Sequence, residues 1–380
     1  MQVRMQVLVL PHPHSFVATF HNFHCNDKRT THFLFKKRSL HKDNRYFSTK
    51  IEQQENAPKP LAELSYLTQC KAFKELCNGV QSVHGLVCAS TMFDDPVSVL
   101  NPTTRESIEL PHTDVLVQTE GVSPFAQYYF GFSPLTNEYK VLQIIKVNPS
   151  GLGKLDIGLL NIFTIGTDSS WRPLRVDQHS DLLEELGSGV GINGVVHWLH
   201  EKQKVIVAFD VREETFRVLP YPKIMLKCLM IMLIKIIISI VMEVLPILIA
   251  YKVQLWLRWG ECVGVFVDKS WKQDKIVLWI LKDYQNHAWV KETVSLMLKE
   301  TYGENGCYVQ ALGTIHTGQL ALVHYLNGLK PGFDTGPPQL LLYDVKTKQF
   351  RIISFVFPDS QRMYDINLIT SYEDSIVPLK

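Results

Sequence analysis

The feature of this sequence that most restricts its fold is a strand–turn–strand unit that returns along the chain. Residues 205–210 form an apolar run, 212–214 a polar turn and 215–219 a second run, and the stretch 340–353 has the same form. In the copy at 97–110, Asn101 and Pro102 favour a turn, because proline presets φ and asparagine bonds to its own backbone. Residues 106–110 then have apolar residues at alternate positions, which is typical of a half-buried β-strand.

Weaker copies of the unit occupy residues 32–51, 161–175 and 276–296. The six turn centres fall near residues 40, 103, 168, 212, 286 and 347, so the unit recurs after 63, 65, 44, 74 and 61 residues. Such repetition is typical of β-propellers, whose blades are four-stranded sheets. The sequence therefore predicts an all-β (mainly β) fold with a β-propeller-like ring of about six blades. We expect the hairpin at 33–51 to close the ring by completing the blade formed by 340–355, because closure leaves no long exposed sheet edge.

One segment has helical rather than strand spacing. Its apolar positions are Leu61, Leu64, Leu67, Ala72 and Leu76. This spacing predicts a short helical segment near 61–78 that packs across the ring, and we assign it no chemistry.

Residues 223–251 form an atypical apolar insertion. The 24 residues from 228 to 251 carry only two charges, Lys235 and Glu243, and as a helix would span about 30 Å of hydrocarbon. A membrane helix here would place blades of one ring on opposite sides of a membrane, so we do not expect membrane association. The other interpretations are a poorly packed insertion and a gene-model artefact such as translated intron, which the break in composition at Lys223 favours.

The chain divides into three parts: a basic N-terminal arm at 1–30, a β-propeller-like domain at 31–365 interrupted by the insertion, and a C-terminal tail at 366–380. Residues 1–60 contain ten Lys or Arg and four Asp or Glu, a net charge of +6, while the remainder contains 29 against 33, a net of −4. A short basic arm is usually solvated. We therefore do not expect nucleic-acid binding.

The sequence contains no recognisable constellation for catalysis, cofactor binding or metal binding. It has no GxSxG, P-loop, HExxH or GxGxxG motif. The glycines at 187–191 lead into a strand rather than a helix, so they lack the helix N-terminus that binds phosphate. His197 lies in an alternating strand and is expected to be a hydrogen-bonded structural residue. The seven scattered cysteines form no CxxC pair and favour a reducing compartment. We expect no enzyme activity, no cofactor, and a location in the cytoplasm, the nucleus or both.

Several motifs occur in a fixed order between residues 82 and 296. They are Ser-Val-His-Gly-Leu-Val-Cys at 82–88, Asn-Pro-Thr-Thr-Arg at 101–105, Phe-Gly-Phe-Ser-Pro-Leu-Thr-Asn-Glu-Tyr-Lys-Val at 130–141, Ser-Trp-Arg at 170–172, Asn-Gly-Val-Val-His-Trp-Leu at 193–199, the run 208–220, and Val-Leu-Trp-Ile at 277–280 with Tyr284 and Trp289. Together they resemble the F-box-associated interaction domain (type 3-like or kelch-like) of plant F-box proteins. Leu100 stands where the family has tryptophan, and the insertion at 223–251 interrupts a join that is short in the family.

The resemblance implies the substrate-recognition part of an adaptor for a Skp-cullin-F-box ubiquitin ligase, which would direct a target protein to ubiquitination. Nothing in residues 1–60 resembles an F-box, and residues 15–22 resemble the segment that usually follows one. Binding of a Skp-type linker and a cullin is therefore expected only if an F-box is supplied. The alternatives are a stand-alone or non-functional domain from a truncated gene, or a protein anchored in a membrane through 228–251. The resemblance fixes no target-binding residue, and we look to the loops near 112–127, 148–158 and 327–338.

Overall fold

Six four-stranded antiparallel sheets make up most of the computed structural model of the chain. The model describes residues 30–37, 45–51, 59–74, 79–91, 97–113, 125–147, 156–175, 180–183, 186–187, 189–200, 202–220, 256–259, 262–267, 275–283, 286–295, 308–315, 319–325, 339–344, 347–353, 355–356, 366–375, 377 and 379. The prediction of a mainly β chain with about six blades is confirmed.

The strands follow one another along the chain in blade order. The N-terminal strands are β1 (Thr31–Lys37), β2 (Arg45–Ile51), β3 (Lys59–Pro60) and β4 (Ala62–Glu63). Blade 2 holds β5 (Gly79–Val83), β6 (Leu86–Ser90), β7 (Ser98–Asn101) and β8 (Glu106–Glu109), and blade 3 holds β9 (Phe125–Ser133), β10 (Glu138–Val147), β11 (Asp156–Thr164) and β12 (Arg172–Pro173). Blade 4 holds β13 (Val190–Ile192), β14 (Val195–His200), β15 (Val205–Asp210) and β16 (Thr215–Pro220), and blade 5 holds β17 (Trp256–Trp259), β18 (Cys262–Val267), β19 (Lys275–Asp283) and β20 (Ala288–Ser295). Blade 6 holds β21 (Tyr308–Thr314), β22 (Leu320–Tyr325), β23 (Gln339–Asp344) and β24 (Gln349–Ile353), followed by β25 (Phe355–Val356) and β26 (Ile366–Glu373).

The first strand of each of blades 2 to 6 lies on the inside of the ring, and β26 takes this place in blade 1. Contacts run from β26 to β5, from β5 to β9, from β9 to β13 and β14, from β13 to β17 and from β17 to β21. Because side chains of a strand point alternately to its two faces, each sheet contributes to the apolar cores on both sides of it. Between blades 3 and 4, for example, Tyr129 and Leu142 of blade 3 pack with Trp198 and Phe209 of blade 4. The core of this protein therefore lies between the blades.

The closing blade combines the two ends of the chain. In blade 1, β26 is the inner strand and pairs antiparallel with β1, followed by β2 and β4. The expectation that the hairpin at 33–51 completes the blade of 340–355 is wrong: β23 and β24 belong to the complete sheet of blade 6, and blade 1 takes its fourth strand from residues 366–373. These residues were assigned to the tail beyond 365, but the structure includes them in the ring. The parallel pair of β25 with β3 adds a second link between blades 6 and 1.

A helical segment fills the wedge between blades 1 and 2. It consists of a 3-10 helix, Ser65–Gln69, and one turn of α-helix, α1 (Lys71–Lys74), so the predicted helical segment is confirmed in a shorter form. Leu67, Ala72 and Phe73 are completely buried and pack against both blades. A second single turn, α2 (Ser180–Leu183), lies between blades 3 and 4.

The turns from the third to the outer strand share one design. Asn101, Asp210, Asp283 and Asp344 begin the turns of blades 2, 4, 5 and 6, and each side chain accepts bonds from backbone N–H groups two or three residues later. Four residues after each of them comes a residue with positive φ: Arg105, Glu214, His287 and Lys348. This local chemistry is why the hairpin units are visible in the sequence.

The insertion at 223–251 and all but the last residue of the basic arm at 1–30 lie outside the described residues. Within the part of the chain that the model describes, no helix is long and apolar enough to cross a membrane.

Candidate functional site

The ring has two faces with different connections. At one, which we call the turn face, short turns such as 84–85, 134–137 and 193–194 join the inner strand to the second, and turns such as 102–105 and 211–214 join the third to the outer strand. At the other, the loop face, the second strand leads to the third and the outer strand leads to the next blade. Neighbouring blades run in the same direction: the Tyr139 hydroxyl donates to the carbonyl oxygen of His84 at 3.2 Å, and Gly194 lies against Pro134.

Two of the three predicted target-binding loops begin and end at the same end of the blade 3 strands. Phe125, the first residue of β9, pairs with Lys146, and Val147 at the end of β10 pairs with Asp156 at the start of β11. The chain on either side of 114–124 and of 148–155 therefore meets at the loop face of blade 3. Of the predicted loops, the model describes residues 112–113, 125–127 and 156–158, whereas 327–338 lies outside the described residues. The strands that flank it, β22 and β23, make the same connection in blade 6 that β10 and β11 make in blade 3.

A buried polar network ties the start of the first loop to blade 3. The Gln143 side-chain amide donates to the Thr113 hydroxyl at 2.8 Å and to the Tyr128 hydroxyl at 3.1 Å. The Asn161 amide donates to Gln143 Oε1 at 2.8 Å. All four side chains are buried, and buried polar groups that satisfy one another hold a single arrangement. Thr113 is thereby fixed at the point where the described chain stops.

Trp171 holds the same segment from the outside. Its indole N–H donates to the carbonyl oxygen of Pro111 at 2.6 Å, and its ring packs against those of Tyr128 and Phe163. Gln143, Asn161 and Thr113 were not recognised as a group from the sequence. Their only signal was a glutamine in the otherwise apolar run of β10.

The next connection at this face, between blades 3 and 4, is also anchored. Leu182, Leu183 and Leu186 are buried in the core between the two blades. The Tyr129 hydroxyl donates to the carbonyl oxygen of Gly187 at 2.9 Å. A Cβ atom on Gly189 would lie 2.5 Å from Nε1 of Trp198, so this glycine permits a close approach of the backbone to the indole. The glycines at 187–191 lead into a strand, as predicted: Gly187 and Gly189 precede β13, and Gly191 lies within it.

His197 is a buried residue of blade 4. It is completely inaccessible to solvent. Burial lowers the pKa of its imidazole to about 4, although hydrogen bonds with the backbone of Val190 and Val195 act in the opposite direction. A neutral histidine held by the backbone in the interior has no access to a substrate, as expected for a structural residue.

On the turn face, a group of charges joins blades 3 and 4. Lys140 Nζ lies 2.8 Å from Oε1 of Glu214, and the Arg172 guanidinium lies 2.9 Å from the same oxygen. Arg172 also contacts Asp168 at 3.0 Å. Burial alone would raise the pKa of Glu214, but hydrogen bonds from Arg172 and Lys140 outweigh it and lower that pKa. All members have opposite-charge partners, so the arrangement suits a structural junction.

The polar and charged side chains described above hold the blades in a rigid frame. No group of three His, Cys, Asp or Glu side chains that could hold a metal ion occurs among the described residues. This frame fixes the ends of the connections at the loop face. Binding loops on a rigid scaffold are a common arrangement for protein recognition.

Comparisons with known proteins agree with this architecture. The family model described as "F-box associated beta propeller domain" matches residues 31–371. The F-box protein At1g53550 of Arabidopsis thaliana is 26% identical over 291 residues, which cover 73% of this chain and 62% of the relative. The F-box protein At1g52495 of Arabidopsis thaliana is 30% identical over 147 residues, covering 36% of this chain and 33% of the relative. The chain thus spans less than two thirds of the length of these relatives.

Among solved structures, apo AztD from Citrobacter koseri matches with 8% sequence identity and a TM-score of 0.35, over 92% of this chain and 99% of that one. A match at this level carries no argument about function.

Proposed function

Because the chain belongs to the family of F-box associated beta propeller domains, we propose that it recognises a target protein for a Skp-cullin-F-box ubiquitin ligase. A protein-interaction role in an F-box protein follows from the family and from the F-box relatives. The finer statement, delivery of the target to ubiquitination, is the proposal. It requires that a Skp-type linker be bound through an F-box, and the target protein is then carried by the ring.

We place the target-binding surface on the loop face of blade 3. This location is supported by four chain segments that meet at one end of the blade 3 sheet. They are the segments at Thr113, Phe125, Val147 and Asp156. The buried network around Gln143 fixes the frame beneath them. Preorganised anchor points reduce the ordering cost that loops incur on binding. Binding without catalysis, in the cytoplasm, the nucleus or both, is part of the same proposal.

The location is tested by replacing loops on the two faces separately. In one variant, residues 114–124 are replaced by a Gly/Ser segment of equal length. In the matched control, Leu135, which is 56% exposed on the turn face, is changed to serine. Proteins retained by the original chain from a plant extract are identified and purified, and their affinities for the three chains are measured. We expect at least a tenfold loss with the loop replacement and less than a twofold change with Leu135→Ser; the reverse order would refute the location.

The ligase role is tested with the full-length transcript of the locus. A transcript that encodes an F-box upstream and omits the codons for 223–251 should yield a protein that co-precipitates with a Skp-type linker. A transcript that encodes the chain as printed, giving a protein that fails to bind the linker, would overturn the ligase role while leaving target binding to be judged by the loop experiment.

A further inference from the structure

The chain continues beyond the closing strand across the turn face of blade 2. Of residues 374–379, which we call the latch segment, the model describes 374, 375, 377 and 379. The segment starts at blade 1, where Asp374 Oδ1 lies 2.9 Å from Nε2 of His32. It ends with Leu379, which is 6% exposed and belongs to the apolar core between blades 2 and 3. The latch segment thus connects the closing blade to a core that lies one blade further round the ring.

Asn101 binds both its own turn and the latch segment. Its Oδ1 accepts bonds from the backbone N–H groups of Thr103 at 2.9 Å and Thr104 at 3.3 Å. Its Nδ2 donates to the carbonyl oxygens of Ser375 and Val377, both at 2.9 Å. The side chain of Asn101 is completely buried, so these bonds are shielded from water.

Two further side chains of the same turn accept bonds from the latch segment. The Thr103 hydroxyl accepts the backbone N–H of Ser375 at 3.1 Å, and Oε2 of Glu106 accepts that of Leu379 at 3.4 Å. The turn therefore recognises the backbone of the segment through donors and acceptors alike. Leu379 adds an apolar contact.

Gly85 leaves the space through which the segment passes. It has φ of +82°, a conformation that side chains disfavour. A Cβ atom there would lie 2.7 Å from the carbonyl oxygen of Glu373 and would also collide with the side chain of Ser375. Gly85 and Asn101 stand in the two motifs at 82–88 and 101–105, and both contact the end of the chain.

The other blades show what Asn101 adds. Asp210, Asp283 and Asp344 occupy the same place in their turns and supply the acceptor oxygen there. A carboxylate can accept the hydrogen bonds of the turn, but it has no N–H group that could donate to a carbonyl oxygen. Blade 2 carries the amide, and blade 2 is where the latch segment binds.

We propose that residues 374–379 act as a latch that holds the closing strand β26 in the ring, with Asn101, Thr103 and Gly85 as its receptor. β26 is held in blade 1 by its ladder to β1, and the latch adds a second attachment on blade 2. Release of the latch would leave β26 with fewer attachments, and an element tied by fewer contacts opens at lower free energy.

The test is Asn101→Asp in the full chain, read out by amide hydrogen exchange. The variant keeps the oxygen that accepts the hydrogen bonds of the turn. It replaces the amide group that donates to the carbonyl oxygens of Ser375 and Val377 with a carboxylate oxygen, which cannot donate. We expect protection of the Ser375 and Leu379 amides to fall at least tenfold, followed by amides of β26, while the amide of Val207 in blade 4 keeps its protection. The matched control is Asp344→Asn, which makes the reverse exchange in a turn without a latch and should leave the C-terminal amides unchanged.

A second variant covers the case in which Asn101→Asp loses the fold altogether. Thr103 is exposed, and Thr103→Val removes its hydroxyl acceptor with little change of shape. It should lower the protection of the Ser375 amide and leave Val207 unaffected. Protection of Ser375 and Leu379 within twofold of the original chain in a folded Asn101→Asp variant, or of Ser375 in Thr103→Val, would overturn the proposal.

Discussion

The burial of His197 predicts that the ring loses stability as the pH falls below 7. The imidazole has a pKa of about 4 in the folded chain and about 6.5 once the chain unfolds. Because the folded-state pKa is the lower one, the unfolded chain binds the proton first. Stability is therefore fully present above pH 6.5, declines as the pH falls towards 4, and loses nothing more from this residue below that value.

The size of the effect follows from the two pKa values. Each pH unit in the window between them costs about 1.4 kcal/mol, which amounts to about 2 kcal/mol between pH 7 and pH 5. In that interval most carboxylates remain ionised, so the acid unfolding they cause is largely avoided.

The assay is denaturant unfolding at pH 7, 6 and 5 on the original chain and on His197→Gln. Glutamine does not titrate but offers an amide N–H to the neighbouring backbone carbonyls. We expect the variant to be less stable at pH 7 and to lack the decline of about 2 kcal/mol. His112→Gln, at an exposed position, should reproduce the original pH dependence. Parallel curves for the original chain and His197→Gln would refute the assignment of His197 as a neutral buried residue.

Three further predictions concern single positions and their matched controls. Gly189→Ala should destabilise the fold by about 1–3 kcal/mol because the added Cβ would collide with Trp198. The control is Gly187→Ala, which has open space around it and should change the free energy of unfolding by less than about 0.5 kcal/mol. Equal effects of the two variants in denaturant unfolding would contradict the close packing of Gly189 on Trp198. Glu214→Gln should cost about 1–2 kcal/mol by leaving Lys140, whose side chain is 8% exposed, with a weaker partner, and the exposed neighbour Glu213→Gln serves as the control that should stay close to the original. Lys204→Gly should raise stability by about 0.5–1 kcal/mol, because Lys204 has φ of +55°, which glycine adopts without strain; Lys202→Gly in the same turn should lower it, and a stabilisation by both would show that backbone strain is not the cause.

The repeating units were predictable because their signals are local. A turn such as 210–214 needs an acceptor side chain at its first position, and Asp210 provides it within three residues of the N–H groups it binds. β15 is a continuous apolar run because four consecutive residues in it are buried, whereas the outer strand β16 is only partly buried. The same reasoning found the hairpins of blades 2 and 6, and hence the number of blades. It also found the helical segment, in which Leu67 and Ala72 are buried, although Leu61 lies before it, between β3 and β4.

Ring closure was not predictable in the same way, because it depends on pairing between distant residues. Thr31 pairs with Glu373, and no turn between them records the register. β26 alternates weakly and reads as a tail when it is considered alone. The hairpin at 33–51 was correctly identified as the closing element, but its partner was assigned to β23 and β24, which are near in the ring and already saturated by β22 and by each other.

The candidate site also has one part that could be predicted from the sequence and one part that could not. Its place in the sequence was predictable, since long connections between strands at 112–127 and 148–158 stand out from the short turns, and the sheet order of blade 3 then places their ends on one edge. Its fixed part was not, because Gln143 is informative only once Thr113, Tyr128 and Asn161 are known to surround it. A glutamine alone in an apolar strand would leave buried donors and acceptors unsatisfied, at a cost of about 1–3 kcal/mol each. The fold must therefore bring partners to it, and one of these partners, Thr113, lies at the root of the first predicted loop. We therefore expect a polar residue within an apolar propeller strand to anchor the connection above it, as Gln143 anchors the segment that ends at Thr113.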